Sequence, residues 1–229
     1  MLKPQKKIRK REIKQDPLIT WYVDTQKWYE SHRKLVSYAA TGLVVLIIAG
    51  WIYINNKQQD EVNATTALGK IIRYYDQGQY ELAINGIPQE NIRGLQSIVD
   101  EYDGTSSGEK AQFYLANAYY DQKLYDKALE NYEGADLTDP IHAASVSAGE
   151  AACYEALGQY QEAGTLFEKA AGIGSDDLLT SEYLYHAARN LIRAGEGERA
   201  RDLLTKLKKD YPTSVYAREV DLLLAQLNA

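Results

Sequence analysis

A single cysteine, Cys153, excludes an intramolecular disulfide framework and any four-cysteine metal site. In "EAACYEAL" it reads as a small apolar core thiol, because its acidic neighbours Glu150 and Glu155 disfavour a thiolate. Histidine is almost as scarce. His32 is separated from His142 and His186 by a long apolar run, and no acid spacing matches the latter two, so neither a metal nor a nucleophile site is expected. Five prolines and no alternating apolar–polar stretch leave little room for a sheet, and helices are expected almost throughout beyond Lys57. Phenylalanine is also rare: two against nineteen tyrosines, a ring that gives contact area while tolerating water.

Apolar length is what the chain has in excess. Leu35 to Ile54 is a run without one charged side chain, and about twenty helical residues rise roughly 30 Å, the thickness of a hydrocarbon core. A secretory signal has a shorter apolar region behind a short leader. Here the run follows a 34-residue leader and ends in "WIYINNKQQD", so a permanent transmembrane helix over 35–54 is expected, with cleavage near "VNATTA" as the alternative. A core helix of this length would need apolar surroundings that the rest of the chain cannot supply. Residues 1–34 carry ten Lys or Arg and four acids, net +6, and residues 35–229 are net −12. Arg33 and Lys34 abut the run against a lone Lys57 beyond it, so the positive-inside rule puts the N-terminus in the cytoplasm and residues 58–229 outside.

Residues 1–16 contain "KPQKKIRKREIK", too polar to pack; a disordered tail drawn to anionic lipid is expected. Nucleic acid is not, since no aromatic side chain is interleaved for stacking. Asp16 and Pro17 suit the N-cap and first residue of an amphipathic juxtamembrane helix over 17–34. Its stripe includes Trp21, Tyr22, Trp28 and Tyr29; with Trp51 these rings suit lipid headgroups, and a docking surface for a partner membrane protein is the alternative.

A repeat dominates the remainder. "YYDQGQYELAI" from Tyr74, "YYDQKLYDKAL" from Tyr119, "YEALGQYQEAG" from Tyr154 and "LIRAGEGERAR" from Leu191 align without gaps. The fifth position is a turn residue (Gly78, Lys123, Gly158, Gly195), the seventh is Tyr80, Tyr125, Tyr160 or Gly197, and the tenth is Ala83, Ala128, Ala163 or Ala200. Tyr132, Phe167 and Leu204 follow the last three alanines at four residues, and Pro140 and Pro212 mark breaks. The pattern resembles the tetratricopeptide repeat. That resemblance implies an all-α solenoid of about four helix pairs, near 64–90, 109–140, 144–175 and 181–212, with an insertion of about eleven residues in the first interval. A capping helix is expected over 213–228, with an apolar stripe at Val215, Val220, Leu223, Leu224 and Leu227.

The order of anchor, repeats and "YPTSVYAREV" ending over residues 20–229 resembles the YfgM-like family, single-pass inner-membrane proteins ancillary to the Sec translocon, particularly its Bacteroidota and Chlorobiota members. The resemblance implies a periplasmic domain that binds protein partners, namely Sec translocon subunits and exported polypeptides, as a chaperone or ancillary subunit. A structural scaffold of an envelope complex is the alternative.

No catalytic constellation stands out, and neither enzyme activity, a cofactor nor a small-molecule substrate is expected. "GEGERA", Gly195 to Ala200, satisfies a dinucleotide fingerprint, but the stretch before it reads as helix where that motif needs a strand. Asn63-Ala64-Thr65 fits a glycosylation acceptor, which matters only where that machinery exists. In the repeat resemblance, the first helix of each pair lines a concave groove: Leu68, Ile72, Tyr75 and Asp76; Lys110, Phe113, Asn117, Tyr120 and Asp121; Glu155; Glu182, Tyr185, Arg189, Ile192 and Arg193. Leu68, Ile72 and Ile192 suit inter-repeat packing. Tyr75, Phe113, Asn117, Tyr120, Asp121, Tyr185, Arg189 and Arg193 are the candidate partner-binding residues.

Overall fold

A computed structural model describes residues 17–174 and 176–227. The basic tail over 1–16, including Asp16, and Asn228 lie outside the described residues. The chain divides into two units, residues 1–56 and 57–229. Helix α1 (Pro17–Asp76) contributes to both. In the first unit it runs unbroken from the aromatic juxtamembrane segment through the apolar run, and it is long and apolar enough to cross a membrane by length and composition. Its apolar side chains are exposed, Leu46 by 72% and Trp51 by 68%.

In the second unit, the end of α1 pairs with α2 (Tyr80–Asn85). Next come α4 (Ser106–Asp121) with α5 (Tyr125–Gly134), α6 (Pro140–Ala156) with α7 (Tyr160–Ile173), and α8 (Asp177–Arg193) with α9 (Gly197–Asp210). The third pair opens at Pro140 rather than at the expected 144. Asp139 caps it, accepting the His142 N–H at 3.2 Å, and Pro140 takes the first turn, where its missing donor costs nothing. Thr105 and Asp176 cap α4 and α8 in the same way.

One turn geometry recurs within all four helix pairs. Gly78, Lys123, Gly158 and Gly195 have φ of 71, 62, 78 and 82°. The next N–H in each case returns to the aligned residue five positions back: Gln79 to Tyr74, Leu124 to Tyr119 and Gln159 to Tyr154 at 2.9 Å, and Glu196 to Leu191 at 2.8 Å. These bonds satisfy carbonyls that a helix end otherwise leaves unpaired. The turn brings the second helix back so that Ala83, Ala128, Ala163 and Ala200, all fully buried, touch their neighbours without a bulky side chain between backbones. Tyr132, Phe167 and Leu204 are likewise buried. At Gly149 a β-carbon would run into the Tyr132 ring, so this contact needs glycine.

The insertion departs from the helical expectation. Gly86, at φ 79°, ends α2 after six residues, and a two-residue antiparallel pair follows, β1 (Gly86–Ile87) with β2 (Ile92–Arg93), around a 3-10 turn at Pro88–Glu90 and left-handed Asn91. Helix α3 (Leu95–Glu101) then supplies Leu95 and Ile98, both fully buried, to the core that so short an α2 cannot close alone. Glu61 ties α1 to the start of α4 by accepting from the Ser107 hydroxyl at 2.7 Å and its N–H at 3.2 Å. Successive cores follow, one around Ala116, Tyr132 and Cys153, and a larger one around Phe167, Leu184, Leu191 and Leu204.

The end of the chain also differs from expectation. A 3-10 turn at Tyr216–Arg218 precedes α10 (Val220–Leu227), which rotates the stripe. Val215 is 59% exposed and Ala217 is buried instead, while Val220 and Leu223 cover the last pair as foreseen.

Lys123 alone among the four turn residues carries a β-carbon in the left-handed region. Replacing it with glycine relieves that strain, and Lys123→Gly is expected to raise unfolding stability by about 0.5–1 kcal/mol, while Gly195→Ala lowers it by about 1 kcal/mol. Denaturant melts of the three proteins check both signs.

Candidate functional site

The ends of α1, α4, α6 and α8, with the 3-10 turn, form a connected band of rings and charges. Tyr75 meets Tyr80 and Tyr114 edge-on, with centroids 5.6 and 5.2 Å apart. Tyr120 meets Tyr125 at 5.5 Å, and Tyr185 meets Tyr216 at 5.2 Å. Burial, followed by the Asp121 charge, pushes the Tyr75 phenol up to about 12. Tyr120 is raised by burial first and by Tyr125, Cys153, Glu155 and Asp121 after it, so α4 and α6 share one electrostatic neighbourhood here.

Glu155 is the centre of the second half of the band. Arg189 donates to it at 2.5 Å, Arg193 at 3.1 Å and the buried Asn190 amide at 2.9 Å. Burial raises the Glu155 carboxyl, but the Asn190 hydrogen bond and the Arg189 charge outweigh it and the group is held low. Arg193 also lies over the Tyr160 ring at 5.3 Å. Tyr185 donates to Glu219. His186 stacks on Phe167 at 5.2 Å, and desolvation lowers its affinity for a proton.

The candidate residues therefore fall into two sets. Tyr75, Tyr120 and Asp121 are gathered at one end, and Tyr185, Arg189 and Arg193 at the other. Phe113 is turned partly inward, edge-on to Tyr132 and His142, and Asn117 accepts the Tyr132 hydroxyl, so both also serve the fold. The spacing pattern did not single out Tyr80, Tyr125 and Tyr160 as surface residues; their identical place after each turn was the available signal. The rings expected at a membrane interface, Trp21, Tyr22, Trp28, Tyr29 and Trp51, are all exposed on α1, with Trp28 stacked on His32 at 5.0 Å.

Two other expectations bear on chemistry. The stretch before "GEGERA" is helix α8, Gly195 is its left-handed turn and Ala200 is core, so no strand precedes that motif. Cys153 is fully buried, and desolvation followed by the Glu150 charge pushes its thiol up to about 12.

Residues 182–214 match the family model of the tetratricopeptide repeat. The matched span runs from α8 through α9 to the start of the cap, and the almost wholly helical architecture fits a tetratricopeptide repeat protein, a fold that serves protein–protein interaction. No curated protein matches the chain.

Removing the Glu155 charge leaves two arginines and a buried amide short of their acceptor. Glu155→Gln is expected to cost about 1–3 kcal/mol at neutral pH. Because the native carboxyl is held below its unfolded value, that contribution is present above the unfolded value and is lost as pH falls through the native one. Unfolding curves from pH 7 down to pH 3 should show the wild type and the variant converging only at the acid end.

Proposed function

We infer that this chain is a membrane-anchored tetratricopeptide protein whose 57–229 unit binds polypeptides, as an ancillary subunit or chaperone at the Sec translocon. The observation that carries the reading is the band of half-exposed tyrosines and charged side chains along successive first helices. Rings of this kind give contact area at small entropic cost, and the flanking charges orient an extended chain. Leu35–Ile54 is the anchor, with the N-terminus cytoplasmic and the repeat unit periplasmic. Anchoring acts by tethering, since confinement to the membrane surface raises the local concentration of the unit around an exporting pore without any new contact.

The self-pairing of Arg189 and Arg193 with Glu155 and of Tyr185 with Glu219 favours a second reading, a scaffold subunit whose face meets one fixed neighbour. Photo-crosslinking in cells from Tyr120 and, separately, Trp28 separates the two. Many unrelated exported chains at Tyr120, with translocon subunits at Trp28, are expected from the first reading. One protein captured at both positions would overturn it in favour of the scaffold. Exchanging Leu35–Ile54 for an unrelated anchor should leave client capture intact and would abolish scaffold assembly.

A further inference from the structure

The internal repeat lets one junction serve as a template for another. Each junction brings together the penultimate residue of a first helix, the opening residue of its second helix and the last residue of the next first helix. Between the third and fourth pairs these are Glu155, Tyr160 and Arg193, and the set is complete: the guanidinium lies over the ring at 5.3 Å and 3.1 Å from the carboxylate. Between the first and second pairs they are Tyr75, Tyr80 and Asp121, and the Asp121 carboxylate acts on the Tyr80 phenol and raises it. Between the second and third pairs they are Tyr120, Tyr125 and Ala156. A methyl group stands here where the next junction has a guanidinium, and it is exposed. Moreover α6 carries Ala148 and Ala152 where α8 carries Tyr185 and Arg189. Asp121, which closes α4, is the acid beside the Tyr120–Tyr125 pair, whereas Glu155, which precedes Ala156, is already held by Arg189, Arg193 and Asn190.

We propose that the Tyr120–Tyr125 step, beside Asp121 and above Ala156, is a subsite for an arginine side chain of the bound polypeptide. The incoming guanidinium takes the position that Arg193 fills in cis one repeat further on. A ring face and the Asp121 carboxylate attract a weakly hydrated planar cation together. Asp121, at the C-terminal end of α4, opposes its helix dipole, a small stability cost that a bound cation relieves.

The proposal rests on the polypeptide-binding reading. Its test uses the full chain in lipid nanodiscs and two fluorescent peptides of roughly ten residues, Ser-, Ala- and Leu-based, identical except for a central arginine or its neutral isostere citrulline. Anisotropy titrations should give at least about fivefold tighter binding of the arginine peptide. Ala156→Arg, which rebuilds the occupied junction, and Tyr125→Ala should each remove the preference for arginine over citrulline, and Ala156→Gln should preserve it. A raised melting temperature for Ala156→Arg would show that this variant is folded with its subsite filled from within. Equal affinities for the two peptides, or a preference that survives both Ala156→Arg and Tyr125→Ala, would overturn the subsite while leaving the groove standing. Binding of neither peptide would overturn the groove reading and the subsite together.

Discussion

Everything in the repeat unit depends on one backbone constraint, a single left-handed residue after each first helix. A helix that ended without it would leave its last carbonyls unpaired and send the chain away from its own apolar face. With it, the chain reverses within a few residues, and the alanine five residues further on meets the preceding helix at backbone distance. That close approach aligns the next first helix, so the surface band inherits its spacing from the turns. The rings at Tyr80, Tyr125 and Tyr160 follow the same turn and recur at equivalent places for the same reason.

The energetic character of the band changes along its length. Near α1 and α4 it is aromatic, with phenols raised by burial and by facing acids. Near α8 it is ionic, and Glu155 is shared by two arginines and a buried amide. A carboxylate so engaged rigidifies α6 against α8, which favours a fixed surface at that end. At the aromatic end, edge-on tyrosines take the place of that ion-paired cluster.

The periodic elements were legible because their signal is local. Gly78, Gly158 and Gly195 announce their turns outright, and Lys123 could be placed only because the gapless alignment put it in their register. The buried alanines and the large residue four positions later followed from the same alignment. The insertion was visible as extra length but not as a hairpin, since a strand pair of two residues has no periodicity to read. Val215 was misplaced because a 3-10 turn advances the chain differently from an α-helix and shifts every later side chain around the axis. The pairing of the candidate residues was not legible. Asn117 with Tyr132, and Glu155 with Arg189, are contacts between different helices that no spacing rule within one helix reports.

The occupied and open junctions differ by a few side chains on an otherwise repeated backbone, and this is how a repeat array acquires specificity. The backbone of each pair must satisfy its neighbour, so turns and alanines are held to one pattern, whereas the last residue of a first helix faces outward and is free to vary. Asp76, Asp121, Ala156 and Arg193 occupy that one position and span both charges and neutrality. A residue that fills its neighbour's ring face in cis, as Arg193 does, closes that junction to a ligand; a methyl group at the same place leaves it open. On the subsite proposal, selectivity is set by which junctions are self-filled, with no change to the packing that holds the solenoid together.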